Sequence, residues 1–245
     1  MSKGENLGSS CHIDDLRERL ATIERTVDNG AYVSGPWQRV IDDLRQVPVG
    51  MRAALAEDVG RISRKLHLRH QRYRVSVTAG LCIESFAATL AGVLLALGIV
   101  YESNALAIVA MILWVSSFQP LVKVTSGTAL GIRYDYVYLF GGIEPRFKTD
   151  FGSYLALSPW KRMVFHLSGT VGSPWGAALV AVIADERLRI ATGVSWAVFW
   201  IVVAINAAAI LAGFTRASRI RRFRVAETSG GLAAIEFRSI FRGAE

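Results

Sequence analysis

The stretch that decides the fold reads ALAIVAMILWVSSFQPLVKVTSGTALGI and covers residues 105–132. A hydrophobic segment of this length satisfies its backbone polar groups inside a bilayer only as a helix. Pro120 removes one backbone hydrogen bond from that helix and kinks it. Lys123 places an ionisable group among apolar residues, where it needs a partner, so the residue is a functional candidate. The stretch therefore predicts a membrane helix that carries a polar feature.

The composition of the whole chain favours a membrane protein. Of its 245 residues, 52% are hydrophobic and 20% are charged, and the mean hydropathy is +0.34. The net charge is +8, but the basic residues stand beside hydrophobic runs. We therefore expect them to meet anionic lipid of the bilayer, and we expect no binding of nucleic acid. Cys11 and Cys82 lie in different segments and predict neither a disulfide nor a metal site.

The predicted fold class is an all-α polytopic membrane protein with four transmembrane helices in two hairpins. The apolar runs that are long enough to span a bilayer cover residues 75–101, 105–132, 163–184 and 190–215. The connections within each pair are short, which is why we expect hairpins. The polar start of the chain predicts that no cleavable signal peptide is present.

The orientation follows from the distribution of Lys and Arg. These residues concentrate in region 1–74, in the loop 133–162 and in the tail 216–245. By the positive-inside rule, all three segments are cytoplasmic. We expect an integral protein of the plasma (inner) membrane, with both termini in the cytoplasm.

Region 1–74 has the periodicity of short amphipathic helices. Spacings of three and four between apolar residues predict a helix that ends at Asn29-Gly30, a second that starts at Pro36 and a third from Val49. The first helix either packs against its neighbours or forms a short coiled coil. His67 and His70 have a helical metal-ligand spacing, but the arginines around them favour a solvated collar that faces lipid.

A basic lipid-facing surface is predicted from residues that precede and follow the membrane domain in the sequence. Its members are Arg64, Lys65, Arg69, Arg72, Arg74, Arg216, Arg219, Arg221 and Arg222. Farther along the tail, Phe237 and Phe241 with Arg238 and Arg242 predict a helix on the cytoplasmic leaflet. In the loop 133–162, alternating tyrosines at 134, 136 and 138 predict a short strand. The loop is either an ordered interfacial segment or a strand beside a cleft, where an extended peptide can add.

An intramembrane polar layer is predicted from the depth of five residues. They are Glu84, Gln119, Lys123, Ser173 and Asn206. Glu84, Lys123 and Asn206 each lie ten residues from a basic cytoplasmic end of their spans, which is about 15 Å of helix. A Glu84–Lys123 pair would remove the cost of two isolated charges in hydrocarbon. In the alternative arrangement Lys123 snorkels to the interface and Glu84 is protonated.

The second and third spans resemble the site-2 protease family of intramembrane zinc metalloproteases. Gln119, Pro120 and Lys123 stand where that family has its HExxH motif, and small residues follow as far as Gly131. The sequence LSGTVGS at 167–173 resembles the motif of the next helix, with Thr170 where proline is usual. The resemblance covers about residues 104–215 and implies the scaffold of that family.

At the positions that match the family's motif, the catalytic groups are missing from this sequence. A catalytic zinc needs about three ligands, an open water position and a base. The degenerate HExxH positions supply none of these, and the last span offers Asn206 but no aspartate. We therefore expect no catalytic residue, no metal and no cofactor.

Three functions remain open at this point. The leading hypothesis is a pseudo-protease that acts as a binding, regulatory or accessory subunit for a membrane-protein partner. The second is a divergent intramembrane metalloprotease in which Glu84 is a displaced acid or ligand. The third is a small transporter or proton pathway through Glu84 and Lys123.

Overall fold

The computed structural model of the protein describes residues 5–33, 35–69, 73–140, 144–214 and 229–242. These residues are mostly helical and include one small antiparallel sheet. The helices are α1 (Glu5–Asp28), α2 (Pro36–Gln46), α3 (Val49–Leu68), α4 (Val77–Val100), α5 (Asn104–Leu130), α6 (Phe151–Ala156), α7 (Pro159–Ala184), α8 (Arg189–Phe214) and α9 (Ser229–Arg242). The strands are β1 (Arg74–Val75), β2 (Tyr134–Phe140) and β3 (Glu144–Thr149), and a 3-10 turn (Asp185–Leu188) joins α7 to α8.

The three N-terminal helices share one hydrophobic core with α6. The apolar faces predicted for α1, α2 and α3 point into this core, which includes Leu16, Leu20, Ile23, Val40, Leu44, Leu55, Val59 and Ile62. Thus α1 packs on its neighbours within the chain. Gly152 of α6 is in close contact with α3, because a Cβ at this position would collide with the carbonyl of Ala56. The helical N-terminal region and the loop before α7 therefore form one packed unit.

Three helical stretches are long and apolar enough to cross a membrane. They are Val77–Val100, Asn104–Leu130 and the continuous stretch Pro159–Phe214. The last contains both α7 and α8, and Asp185 has a φ of 42° where α7 ends. The side chain of Ser158 caps α7 and Pro159 occupies its first turn, so this helix begins four residues before the predicted run 163–184.

The sheet has the order β1-β2-β3 and lies against the start of α4. The predicted strand over residues 134–138 is confirmed as β2, whereas β1 and β3 were not predicted. Val75 pairs with Val137, and Tyr138 pairs with Arg146. A Cβ at Gly80 would collide with the side chain of Val137, so the glycine permits the sheet to contact α4.

Helix α9 was expected to lie on the surface of the leaflet, but it packs against α7 and α8. Its residues Ala233 and Ala234 are buried, and a Cβ at Gly213 of α8 would collide with the side chain of Ala234. Small residues allow helices to approach closely, which explains why this segment packs into the bundle. The predicted basic residues Arg216, Arg219, Arg221 and Arg222 lie outside the described residues, as do the side chains of Phe241 and Arg242.

Candidate functional site

Lys123 and Asn206, two members of the predicted polar layer, each contact a neighbouring helix. The Nζ of Lys123 donates to Oγ of Ser229 at 3.3 Å and lies 5.1 Å from the centroid of the Phe165 ring. The Nδ2 of Asn206 donates to the carbonyl oxygen of Thr170 at 2.9 Å, which joins α8 to α7. The participation of Ser229, from α9, was not predicted.

Gln119 and Ser173 lie where α5 and α7 are almost in backbone contact. A Cβ at Gly172, beside Ser173, would lie 2.7 Å from the Cα of Gln119. One turn away, a Cβ at Gly176 would lie 2.7 Å from the backbone of Trp114. The α5 segment at Gln119 thus faces a helix that leaves little space beside it.

Glu84 is separate from the rest of the layer, and the predicted Glu84–Lys123 pair is wrong. Glu84 is 4% exposed, lies against Ser117 of α5, and its Oε1 has no hydrogen-bond partner in the structure. The indole Nε1 of Trp114 donates to the carbonyl of Ala88 at 2.8 Å and fixes this register. Lys123 is six residues beyond Ser117, or about 9 Å along α5. The two spans do not end at one level, because α5 extends past the start of α4.

A buried ionic cluster joins α6, α7 and α9. The Nε of Arg162 donates to Oε2 of Glu236 at 2.8 Å, and its Nη1 donates to the carbonyl of Leu155 at 3.3 Å. Tyr154 donates its hydroxyl hydrogen to Oε1 of Glu236 at 2.9 Å. Because that hydrogen is used, Nε2 of His166, 2.9 Å from the same hydroxyl, is the donor in their contact. Hydrogen bonds of this number and length hold α9 firmly against α7.

Arg52 of α3 extends the cluster toward the N-terminal helices. It is 5% exposed, and its Nε and Nη1 are buried without a hydrogen-bond partner. Burial and the nearby guanidinium of Arg162 lower the pKa of Arg52, while Glu236 and Tyr154 oppose that change. Positive charge therefore exceeds negative charge among the described members of the cluster.

A cleft of about 860 Å³ opens between α3, α6 and the start of β2. Its charged lining consists of Glu57, Arg61, Arg64, Arg133, Asp135 and Asp150. The side chain of Arg133 is 83% exposed and its Nε lies 3.7 Å from Oδ2 of Asp150. Arg64 is 3.9 Å from Asp135. Burial raises the pKa of Asp135, an effect that Arg64 opposes and Asp150 reinforces.

The residues predicted as a lipid-facing basic surface have more varied environments. Lys65 forms ion pairs of 2.8 Å with Glu24 and with Asp28, so it binds α1. The guanidinium of Arg74 lies 5.7 Å from the centroid of the Tyr136 ring. Arg69 is at the end of α3, and Arg72 lies outside the described residues.

Of the histidine pair considered as a metal site, the structure describes only His67. The Nδ1 of His67 is 2.7 Å from the hydroxyl of Tyr136, and His70 lies outside the described residues. Within the described ranges, no group of three His, Cys, Asp or Glu residues is arranged to hold a metal ion.

Sequence reasoning missed the ionic cluster formed by Tyr154, Arg162, His166 and Glu236. The contact of His166 with Tyr154 was not predicted, because the two residues lie 12 positions apart in different helices. One signal was available: Glu236 interrupts the apolar run LAAIEF at residues 232–237. A carboxylate in such a run needs a buried cation.

Comparisons of the chain with family models, with curated proteins and with solved structures find no match in any of the three.

Proposed function

We propose that this protein is a non-catalytic integral membrane protein of site-2-protease-like architecture that binds a membrane-protein partner as a regulatory or accessory subunit. The observation that carries the proposal is the environment of Lys123. In the family resemblance this residue stands at the second histidine of HExxH. Here its ammonium group contacts Ser229 and the Phe165 ring, so a positive charge occupies the region where a metal ion would be held.

The close packing of α5 and α7 supports the same proposal. A hydrolytic site needs room for a substrate backbone and a water molecule. Gly172 and Gly176 bring the two helices so close that a Cβ at either glycine would clash with the backbone of α5. In the proposed function, α5 and α7 pack against each other at the place where the site-2 protease family holds its catalytic groups.

The proposed arrangement in the membrane has four crossings, by α4, α5, α7 and α8. The break at Asp185 and the Asn206–Thr170 hydrogen bond support α7 and α8 as two adjacent crossings. The N-terminal helices, the sheet and the cleft are then cytoplasmic, as is α9 where it leaves the bundle. The membrane is the plasma (inner) membrane, with the basic segments on its anionic cytoplasmic face.

The cytoplasmic cleft is the proposed docking site. It is large enough for a short segment of a partner, and it presents arginines and carboxylates that are only partly neutralised by each other. Long-range charge complementarity favours association and selects among partners. The partner segment is expected to carry an acidic group that meets Arg133.

Affinity purification in mild detergent tests the proposal. Full-length tagged protein from its native membranes should retain a stoichiometric membrane protein. Arg133→Glu should lower recovery of that protein about tenfold, while Arg25→Glu, at an exposed site on α1 away from the cleft lining, should not. Recovery of no stoichiometric protein, or equal recovery with both variants, would overturn the docking proposal.

The same preparation separates the two alternatives. A divergent metalloprotease would contain about one zinc per chain by elemental analysis. A proton pathway would give flux in liposomes that Glu84→Gln abolishes, and the buried carboxyl of Glu84 is the feature that favours testing it. The proposed pseudo-protease has neither property.

A further inference from the structure

A buried arginine with two nitrogen atoms that have no hydrogen-bond partner points to a ligand that the cluster can receive. Arg52 is 5% exposed, and neither Nε nor Nη1 has a hydrogen-bond partner. Guanidinium donors removed from water without a hydrogen-bond acceptor are destabilising. Arg162, the nearest cation, already donates to Glu236 and to the carbonyl of Leu155. The carboxylate of Glu236 thus interacts with the guanidinium groups of both Arg52 and Arg162.

We propose that Arg52, together with Arg162, binds one phosphate group. This site is distinct from the docking cleft and goes beyond the proposed function. The planar fork of a guanidinium matches two oxygens of a phosphate, and a tetrahedral anion offers acceptors to two guanidinium groups at once. Glu236 repels an anion, so the phosphate lies on the Arg52 side of Arg162.

The position of the cluster suits a phosphate at the membrane surface. Arg162 is in the first turn of α7, next to Lys161, and Trp160 is 59% exposed. Tryptophan and basic residues mark the headgroup level of a bilayer. Ala53, the residue after Arg52, lines the open cleft. The phosphate therefore comes either from an anionic lipid headgroup or from free phosphate.

Thermal unfolding of the full chain in maltoside micelles, which contain no phosphate, tests the site. One arm adds inorganic phosphate against sodium chloride of equal ionic strength. The other adds dioctanoyl phosphatidylglycerol against dioctanoyl glycerol, which lacks the phosphate. A ligand in hundredfold excess over its Kd should raise the midpoint by about 5 °C.

Variants at Arg52 decide whether a shift belongs to this site. Arg52→Gln removes a buried cation that Arg162 repels, so the apoprotein should fold with an equal or higher midpoint, and its phosphate response should disappear. Arg52→Lys keeps the charge without the fork and should retain part of the response. Arg39→Gln, at an exposed site on α2, should respond like the unaltered protein.

The outcomes are distinguishable. A shift with inorganic phosphate that Arg52→Gln abolishes assigns the site to free phosphate. A shift only with the phospholipid, again abolished by Arg52→Gln, assigns it to a lipid headgroup. No shift in either arm, or equal shifts in Arg52→Gln and the unaltered protein, would overturn the proposal.

Discussion

Arg162 and Glu236 form a hydrogen-bonded ion pair of 2.8 Å between side chains that are 1% and 2% exposed. The pair lies 74 residues apart in the sequence and connects α7 to α9. Breaking a buried pair leaves one charge without a counter-ion, which is much more costly than losing an exposed pair.

We expect Glu236→Gln to lower the free energy of unfolding by about 3–5 kcal/mol, because Arg162 then remains buried and charged. The measurement is chemical or thermal unfolding in detergent. Glu18→Gln, at an exposed site on α1, is the matched control and should change little. The double variant Arg162→Leu/Glu236→Leu should be more stable than Glu236→Gln. A double variant no better than the single would show that the charge is not the source of the loss.

A second prediction concerns the contact of α5 with α7. Gly172→Ala should destabilise the protein by about 1–3 kcal/mol, because the added Cβ must displace the backbone at Gln119. Gly193→Ala is the control, since it adds a Cβ in α8 with nothing within 4 Å. The control should be neutral or stabilising, as alanine favours a helix more than glycine does. Equal midpoints for both variants would contradict the packing described for these helices.

Glu84 provides a third prediction. Its carboxyl group is buried, and Oε1 has no partner in the structure, so Glu84→Gln should leave the thermal midpoint unchanged or raise it. Glu186→Gln, in the exposed turn between α7 and α8, is the control. A fall of several degrees for Glu84→Gln alone would mean that the charged carboxylate stabilises the fold, which would contradict this prediction.

The fourth prediction is a pH dependence in the N-terminal helices. Hydrogen bonds from Arg61 and Lys65 lower the pKa of Glu24 to about 2. Because the folded-state pKa lies below the ordinary value of 4.5, this stabilisation is fully present above pH 4.5 and is lost as the pH falls toward 2. Glu24→Gln should therefore lower stability at pH 7, by about 1 kcal/mol since the pair is partly exposed to solvent. The difference between variant and unaltered protein should shrink when thermal unfolding is repeated near pH 3. A difference that is independent of pH would assign the effect to packing.

Local features of this fold were predictable from the sequence. The apolar spacings that give α1, α2 and α3 act within a few residues of each other, and Pro36 marks the start of α2 directly. The alternation at Tyr134, Tyr136 and Tyr138 likewise predicted β2. The apolar runs predicted the long helices, because hydropathy is a property of a continuous segment.

Relations between distant segments were not predictable in the same way. The depth argument assumed that the first two spans end at one level, whereas Glu84 lies opposite Ser117 and not Lys123. A register between two helices is set by contacts such as Trp114 with Ala88, which no single segment reveals. The same limitation hid the contact of Arg162 with Glu236. The position of α9 depends on small residues that also occur in surface helices.

Because the ribosome makes the chain from its N-terminus, the two members of the Arg162–Glu236 pair are synthesised at different times. Arg162 is synthesised 74 residues before the carboxylate that neutralises it. At ordinary rates of translation this interval lasts roughly 4 to 15 s, during which α7 and α8 are already available for insertion. For that time the guanidinium must stay hydrated at the membrane surface or find a temporary anion. Assembly of this bundle therefore finishes only when its last described helix arrives, so a nascent chain stalled before Glu236 would expose an unneutralised cation to quality-control proteases.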